Sequence, residues 1–209
     1  MTINYDQLSN IKKTLTKFPN SKLQIVTKKR DVKTISELID YGHFLFGENK
    51  VQEAQEKFKE INNPKVDLHL IGPLQTNKVR MALKIFHCIQ SIDRAKLVNE
   101  IARCMIKEKP KTRSFYIQIN IGKEKQKSGV FPENLKELYE LCIEKKISIN
   151  GLMCIPPLDQ PSDEYFNLMK NLRDNLNINL DLSMGMSNDY NVALECGSNL
   201  IRVGSRIFT

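Results

Sequence analysis

A chain of 209 residues, 41% of them hydrophobic, suffices for one sizeable core, and residues 1–209 read as a single domain. Five scattered cysteines, four of them in apolar runs, exclude a disulfide framework and a zinc site and point to a reducing compartment. The formal charge of +8 is spread over nearly every predicted helix and reads as a solvated surface, with neither a nucleic-acid site nor a membrane span; the expected location is the cytoplasm.

In chain order, residues 4–17 place Leu8, Ile11 and Leu15 at helical spacing. The β-branched run "LQIVTK" (23–28) predicts a strand, and 32–41 a helix that stops at Gly42. "FLFG" (44–47) predicts the second strand, followed by a helix over 50–61. "VDLHLIG" (66–72) is the third strand, with a helix over 77–86. "HCIQSI" (87–92) is the fourth, and Asp93 is expected to cap a helix over 94–108.

The second half repeats the rhythm. Residues 115–121 predict a strand, and 132–146 a helix opened by Pro132. Residues 147–155 predict the sixth strand and 162–175 a helix. Residues 180–186 predict the seventh strand and 188–197 a short helix ended by Gly197, and 199–204 predict the eighth strand. Strand then helix, eight times over, implies parallel strands closing into a (β/α)8 barrel, with an open doubly wound sheet as the structural alternative.

Sites in such barrels lie at the carboxyl ends of the strands. Several strands alternate polar with aliphatic residues. With the aliphatic faces against the helices, the interior receives Lys28, Gln118, Asn120 and Arg202, joined by His69. A buried lysine near another cation has the depressed pKa that imine formation needs. The residues alone leave a second reading open, with Lys28 as a surface lysine opening the loop "KKRD". The loops after strands seven and eight, "SMGMSND" (183–189) and "RVGSRIF" (202–208), offer Gly185, Gly204, Ser187 and Ser205 where barrels often hold phosphate. Ordinary turn glycines and caps would look the same. A strand-end lysine beside a phosphate cradle suggests a phosphorylated aldehyde, such as pyridoxal 5′-phosphate (PLP). Glu48, Glu53 and Glu56, spaced against Lys50 and Lys57, read as surface ion pairs. Neither GxxxxGK[ST] nor GxGxxG occurs, and the three histidines lack metal spacing.

The segments "IVTK", "FGENKVQEA", "HLIGPLQTNKVR", "SIDRAKLVNEI", "IQINIGKEKQKSGV", "GLMCIPP", "LSMGMSNDYNVAL" and "GSNLIRVGSRIF" resemble the PLP-binding homeostasis family, whose members share the barrel domain of alanine racemase. The resemblance implies a TIM barrel without the racemases' C-terminal β-domain, and PLP as the cofactor. It implies that Lys28 holds PLP as a Schiff base, that Ser187, Gly204 and Ser205 bind the phosphate, that Arg202 sits against the pyridine nitrogen, and that Asn49 lies beside the cofactor. Lys29, Arg30 and Asp31 depart from the pattern after the lysine, and Lys29 stands as a competing imine donor; Leu68 replaces an aromatic residue. The implied role is PLP homeostasis by a non-catalytic carrier, a monomer whose partners are PLP, other B6 vitamers and recipient PLP-dependent enzymes. The alternative is a PLP-dependent amino-acid racemase. A chain ending directly after the eighth strand would lack the β-domain that supplies the racemases' catalytic tyrosine.

Overall fold

In the computed structural model, which describes residues 2–61, 63–107, 109–158, 160–176 and 178–208, eight parallel strands close into a barrel in chain order. They are β1 (Lys22–Val26), β2 (Leu45–Glu48), β3 (Asp67–Leu70), β4 (Cys88–Ile92), β5 (Ser114–Ile119), β6 (Ile149–Cys154), β7 (Asp181–Ser183) and β8 (Leu200–Val203). Crossing back between them are α2 (Val32–Asp40), α3 (Val51–Lys59), α4 (Val79–Ile85), α5 (Ala95–Lys107), α6 (Leu135–Glu144), α7 (Ser162–Asn175) and α8 (Tyr190–Glu195). The strand-then-helix reading needs one correction. Among the described residues no helix follows β8, and the eighth place is taken by α1 (Tyr5–Leu15), from before β1. Ile3 forms an antiparallel bridge with Phe208, and the Asn4 N–H donates to the Ile207 carbonyl at 2.8 Å.

The alternation seen in the sequence separates the two faces of the wall. Ile25, Phe46, Leu70, Ile89, Ile117 and Ile201 are fully buried between strands and helices, each contributing about 1.5–3 kcal/mol by leaving water. Polar residues occupy the inner face instead, where Gln24 pairs in register with Arg202 and Gly47 with His69. Cys88, Cys104, Cys142 and Cys154 are buried free thiols, as expected.

Boundaries shift where local chemistry competes. Most strands are shorter than their apolar runs, whereas β2 keeps its four residues and shifts by one, to Leu45–Glu48. Asp93 lies just outside the capping position, and its carboxylate accepts instead from Arg94 Nη1 at 2.5 Å. The predicted end of that helix, Glu108, lies outside the described residues. By contrast α2 ends as its sequence demands. Gly42 takes φ +84°, which lets the His43 N–H reach the Leu38 carbonyl at 2.9 Å and satisfy the last turn. No described helix is long and apolar enough to cross a membrane.

Two buried histidines make the fold acid-sensitive. Burial holds His43 at a pKa of about 4, although its Nε2 donates to the Leu45 carbonyl at 2.8 Å. Burial, with Lys111 and Arg113 nearby, also holds His87 at about 4, and its bare Nδ1 accepts the Leu68 N–H at 3.0 Å. Unfolded, both take up protons near the ordinary pKa of about 6.5; folded, they resist until about 4. The unfolded state therefore binds more protons in that window, and stability complete above about pH 6.5 is lost as pH falls toward 4. His43 alone accounts for on the order of 2–3 kcal/mol. Urea-unfolding midpoints measured from about pH 7 down to about pH 4.5 should fall steadily, and a flat profile would refute this account.

Candidate functional site

The carboxyl ends of the strands surround a cavity of about 560 Å³, a size suited to a cofactor. Lys28, Asn49, Ser187, Arg202, Gly204 and Ser205 all line it. Residues from the ends of β1, β2, β7 and β8, distant in sequence, thus meet in one place. Lys28 enters differently from the expectation. It lies two residues beyond β1 in an exposed turn closed by the Arg30 N–H donating to the Thr27 carbonyl at 3.0 Å. Lys28 is exposed and lines the cavity from this turn. The strand ends early because Lys29 turns the chain with φ +60°.

Arg202 occupies the floor. It is 4% exposed, and its Nη1 donates to Ser183 Oγ and its Nη2 to the Cys154 carbonyl, both at 2.7 Å. No described carboxylate forms an ion pair with it, and burial lowers its pKa from the usual guanidinium value. Desolvating such a cation is costly, a cost that an anionic or electron-rich ligand in the cavity would offset.

Below Arg202 a line of polar side chains runs down the barrel axis. Ser183 Oγ donates to Gln90 Oε1 at 2.7 Å, and Gln90 Nε2 donates to His69 Nδ1 at 2.8 Å and to Gln24 Oε1 at 3.2 Å. His69 therefore carries its hydrogen on Nε2, 3.3 Å from Asp67 Oδ1 at the opposite mouth. His69 is buried as expected; Gln90 and Ser183 went unnoticed, although alternation in "HCIQSI" and "LDLS" puts both on the inner face. Gln118 lines the cavity, with its Nε2 donating to the Ser128 carbonyl at 3.1 Å. Asn120 also lines it, but its amide is spent on the β5 loop: Nδ2 donates to the Glu124 and Lys127 carbonyls, and Oδ1 accepts the Glu124 N–H.

The two glycine–serine loops meet as expected. Ser205 Oγ donates to Ser187 Oγ at 3.1 Å, and Arg206 Nη1 donates to the Ser187 carbonyl at 3.1 Å. Ser187 precedes the cap of α8, where Asp189 Oδ1 accepts the Met186 N–H at 2.6 Å. Gly204 packs on β1, and a Cβ there would lie 3.2 Å from the Val26 carbonyl oxygen. Asn49 is backed by Gly72, where a Cβ would fall 2.1 Å from the Asn49 carbonyl oxygen; only glycine lets the β3 loop approach so closely. That loop lines the cavity through Gly72 and Pro73.

One reading is overturned. Glu48, Glu53 and Lys57 do not form surface pairs. Glu48 is fully buried and Lys57 is 8% exposed, their charged atoms 2.5 Å apart. Lys57 Nζ also donates to the Thr27 carbonyl at 2.8 Å and to Glu53 Oε1 at 3.0 Å. Thr27 Oγ1 donates to Glu48 Oε1 at 2.6 Å, and the Lys29 N–H donates to Glu53 Oε1 at 2.5 Å. Burial raises the Glu48 pKa, against the opposing pull of Lys57 and Thr27. No metal-ligand cluster occurs among the described residues.

Comparison with known proteins places this geometry. The family "Alanine racemase, N-terminal domain" matches residues 3–209. The pyridoxal phosphate homeostasis protein of Aquifex aeolicus is 39% identical over 197 residues, covering 90% of this chain and 86% of the relative. That of Escherichia coli K12 is 34% identical over 197 residues, with 89% and 84% covered. Among solved structures, PipY of Synechococcus elongatus with PLP bound superposes with a TM-score of 0.82 at 30% identity, covering 98% of this chain and 99% of that one. Alanine racemase of Clostridium difficile shares the fold at 17% identity and TM-score 0.74, with 97% and 55% covered.

Proposed function

Because the chain belongs to the alanine racemase N-terminal domain family, and within it to the pyridoxal phosphate homeostasis proteins, we propose that residues 1–209 form one PLP-binding barrel domain that acts in intracellular PLP homeostasis as a carrier. Bound PLP supplies an aldehyde. Lys28 would hold that aldehyde covalently through its amine, as a Schiff base. Arg202 would face the pyridine nitrogen, Ser187, Gly204 and Ser205 would take the phosphate, and Asn49 would lie beside the cofactor. The observation that carries this reading is the convergence of a lysine amine, a buried cation without a carboxylate partner, and two adjacent hydroxyls on one cavity of cofactor size.

A carrier fits the cavity better than a racemase. Racemisation needs a second acid/base group opposite the lysine, worth roughly 10²–10⁴-fold. The other titratable side chains of the lining are Lys127 and Asp189. Lys127 is paired with Glu124 at 2.5 Å and donates to the Pro156 carbonyl at 3.3 Å, while Asp189 caps the Met186 N–H. As a carrier the protein works in the cytoplasm as a monomer. It binds PLP and other B6 vitamers, passes PLP to PLP-dependent enzymes, and needs no nucleic acid or membrane.

Borohydride reduction of the PLP-loaded protein, followed by peptide mass spectrometry, tests the site. A pyridoxyl adduct concentrated on Lys28 is expected, with no steady conversion of L- to D-alanine by the same preparation. Adduct spread over surface lysines, including Lys29, would overturn the site assignment. Sustained racemisation would overturn the carrier.

A further inference from the structure

We propose that Lys57, with Glu48 and Glu53, is a positioning device for Lys28: it fixes the backbone on both sides of the imine-forming residue and so sets the reach of the amine into the cavity. The inference rests on the proposed Schiff base at Lys28 and extends it to residues that do not line the cavity.

The hydrogen bonds converge on the neighbours of Lys28. Upstream, Thr27 is held at three atoms: its N–H donates to the Gly47 carbonyl at 3.0 Å, its hydroxyl to Glu48, and its carbonyl accepts from Lys57. Downstream, the Lys29 N–H is held by Glu53 at 2.5 Å, at a residue with φ +60°. A lysine adopts that conformation uncommonly, because its Cβ crowds the backbone there, and the bond to Glu53 holds it in place. Lys28, between the two anchors, is exposed and forms no ion pair among those of the described residues. A long flexible side chain thus springs from a fixed root.

Energetics support a positioning role over a stabilising one. Burying an ammonium against a carboxylate gains little net stability, since desolvation offsets the attraction, and an apolar pair of similar volume often serves as well. Here two carboxylates meet one ammonium, and Glu48 Oε2 is buried without a hydrogen-bond partner. A cluster so poorly balanced is a costly way to hold α3 against the barrel. What it does achieve is two hydrogen bonds and an ion pair from one Nζ: hydrogen bonds to Thr27 and to Glu53, which holds Lys29, and an ion pair with Glu48, which holds the Thr27 hydroxyl.

The test separates covalent from non-covalent binding. PLP forms the imine; pyridoxine 5′-phosphate, which has an alcohol in place of the aldehyde, uses only the phosphate cradle and Arg202. For Lys57→Met the apparent PLP affinity read from the visible imine band should fall about tenfold, as misplacement of a reacting amine predicts, while pyridoxine 5′-phosphate affinity stays within about twofold. Glu53→Gln, at a partly exposed position, should show the same split in weaker form, about threefold. Lys57→Arg should restore most of the imine signal. Equal loss of both ligands, or an unchanged imine in Glu53→Gln, would overturn the positioning role. Absence of an imine on Lys28 in the unaltered protein would instead overturn the functional reading beneath it.

Discussion

Lys28→Ala abolishes the visible imine band of the PLP-loaded protein and the borohydride-trapped adduct, while leaving weaker, reversible binding of PLP. The expectation follows from how the cavity divides its work. Arg202, Ser187, Gly204 and Ser205 hold their places through bonds that do not involve Lys28. Removing an exposed side chain from a turn changes stability within about 0.5 kcal/mol. The loss therefore falls on the covalent link alone. Equilibrium dialysis should return a dissociation constant for PLP close to that of pyridoxine 5′-phosphate on the unaltered protein. An imine band of undiminished strength would mean that another amine, Lys29 first among them, holds the aldehyde.

Arg202→Met is expected to act in opposite directions on stability and binding. In the ligand-free protein the guanidinium is buried against two neutral acceptors, Ser183 Oγ and the Cys154 carbonyl. Methionine fills similar volume without a charge to desolvate, and Ser183 keeps its bond to Gln90. The variant should be as stable as the parent or more so, by about 1–3 kcal/mol. Its PLP affinity should nevertheless fall by about 10–100-fold, since a hydrogen bond from a charged donor is worth roughly 1.5–3 kcal/mol. Thermal unfolding with and without PLP reads both at once: a higher midpoint alone, and a smaller rise on adding cofactor. A variant that unfolds at lower temperature would show that Arg202 is a structural keystone instead.

The barrel and its mouth were legible because both obey simple periodicities. Strands alternating polar with aliphatic residues announce an inner face that differs from the outer one, and "SMGMSND" and "RVGSRIF" carry glycine and serine where a phosphate loop needs them. Eight residues named from the sequence, Gln118 and Asn120 among them, line one cavity. Two things were hidden. Extending the alternation of β1 put Lys28 inside the barrel, but no residue type announces that Lys29 will take a positive φ and end the strand at Val26. Glu53 and Lys57 have the i,i+4 spacing of any solvated helical pair. That α3 turns this pair toward the buried Glu48 depends on packing between elements, which spacing does not encode.

The axial line of side chains beneath Arg202 has one direction throughout. Arg202 donates to Ser183, Ser183 to Gln90 and Gln90 to His69, whose Nε2 lies 3.3 Å from Asp67 Oδ1. No member can reverse its donor and acceptor alone, so the guanidinium at the top is already oriented before any ligand arrives. Recognition at this end of the cavity is therefore preorganised: a newcomer meets a cation whose alignment has been settled during folding, and association carries little entropic penalty for arranging it.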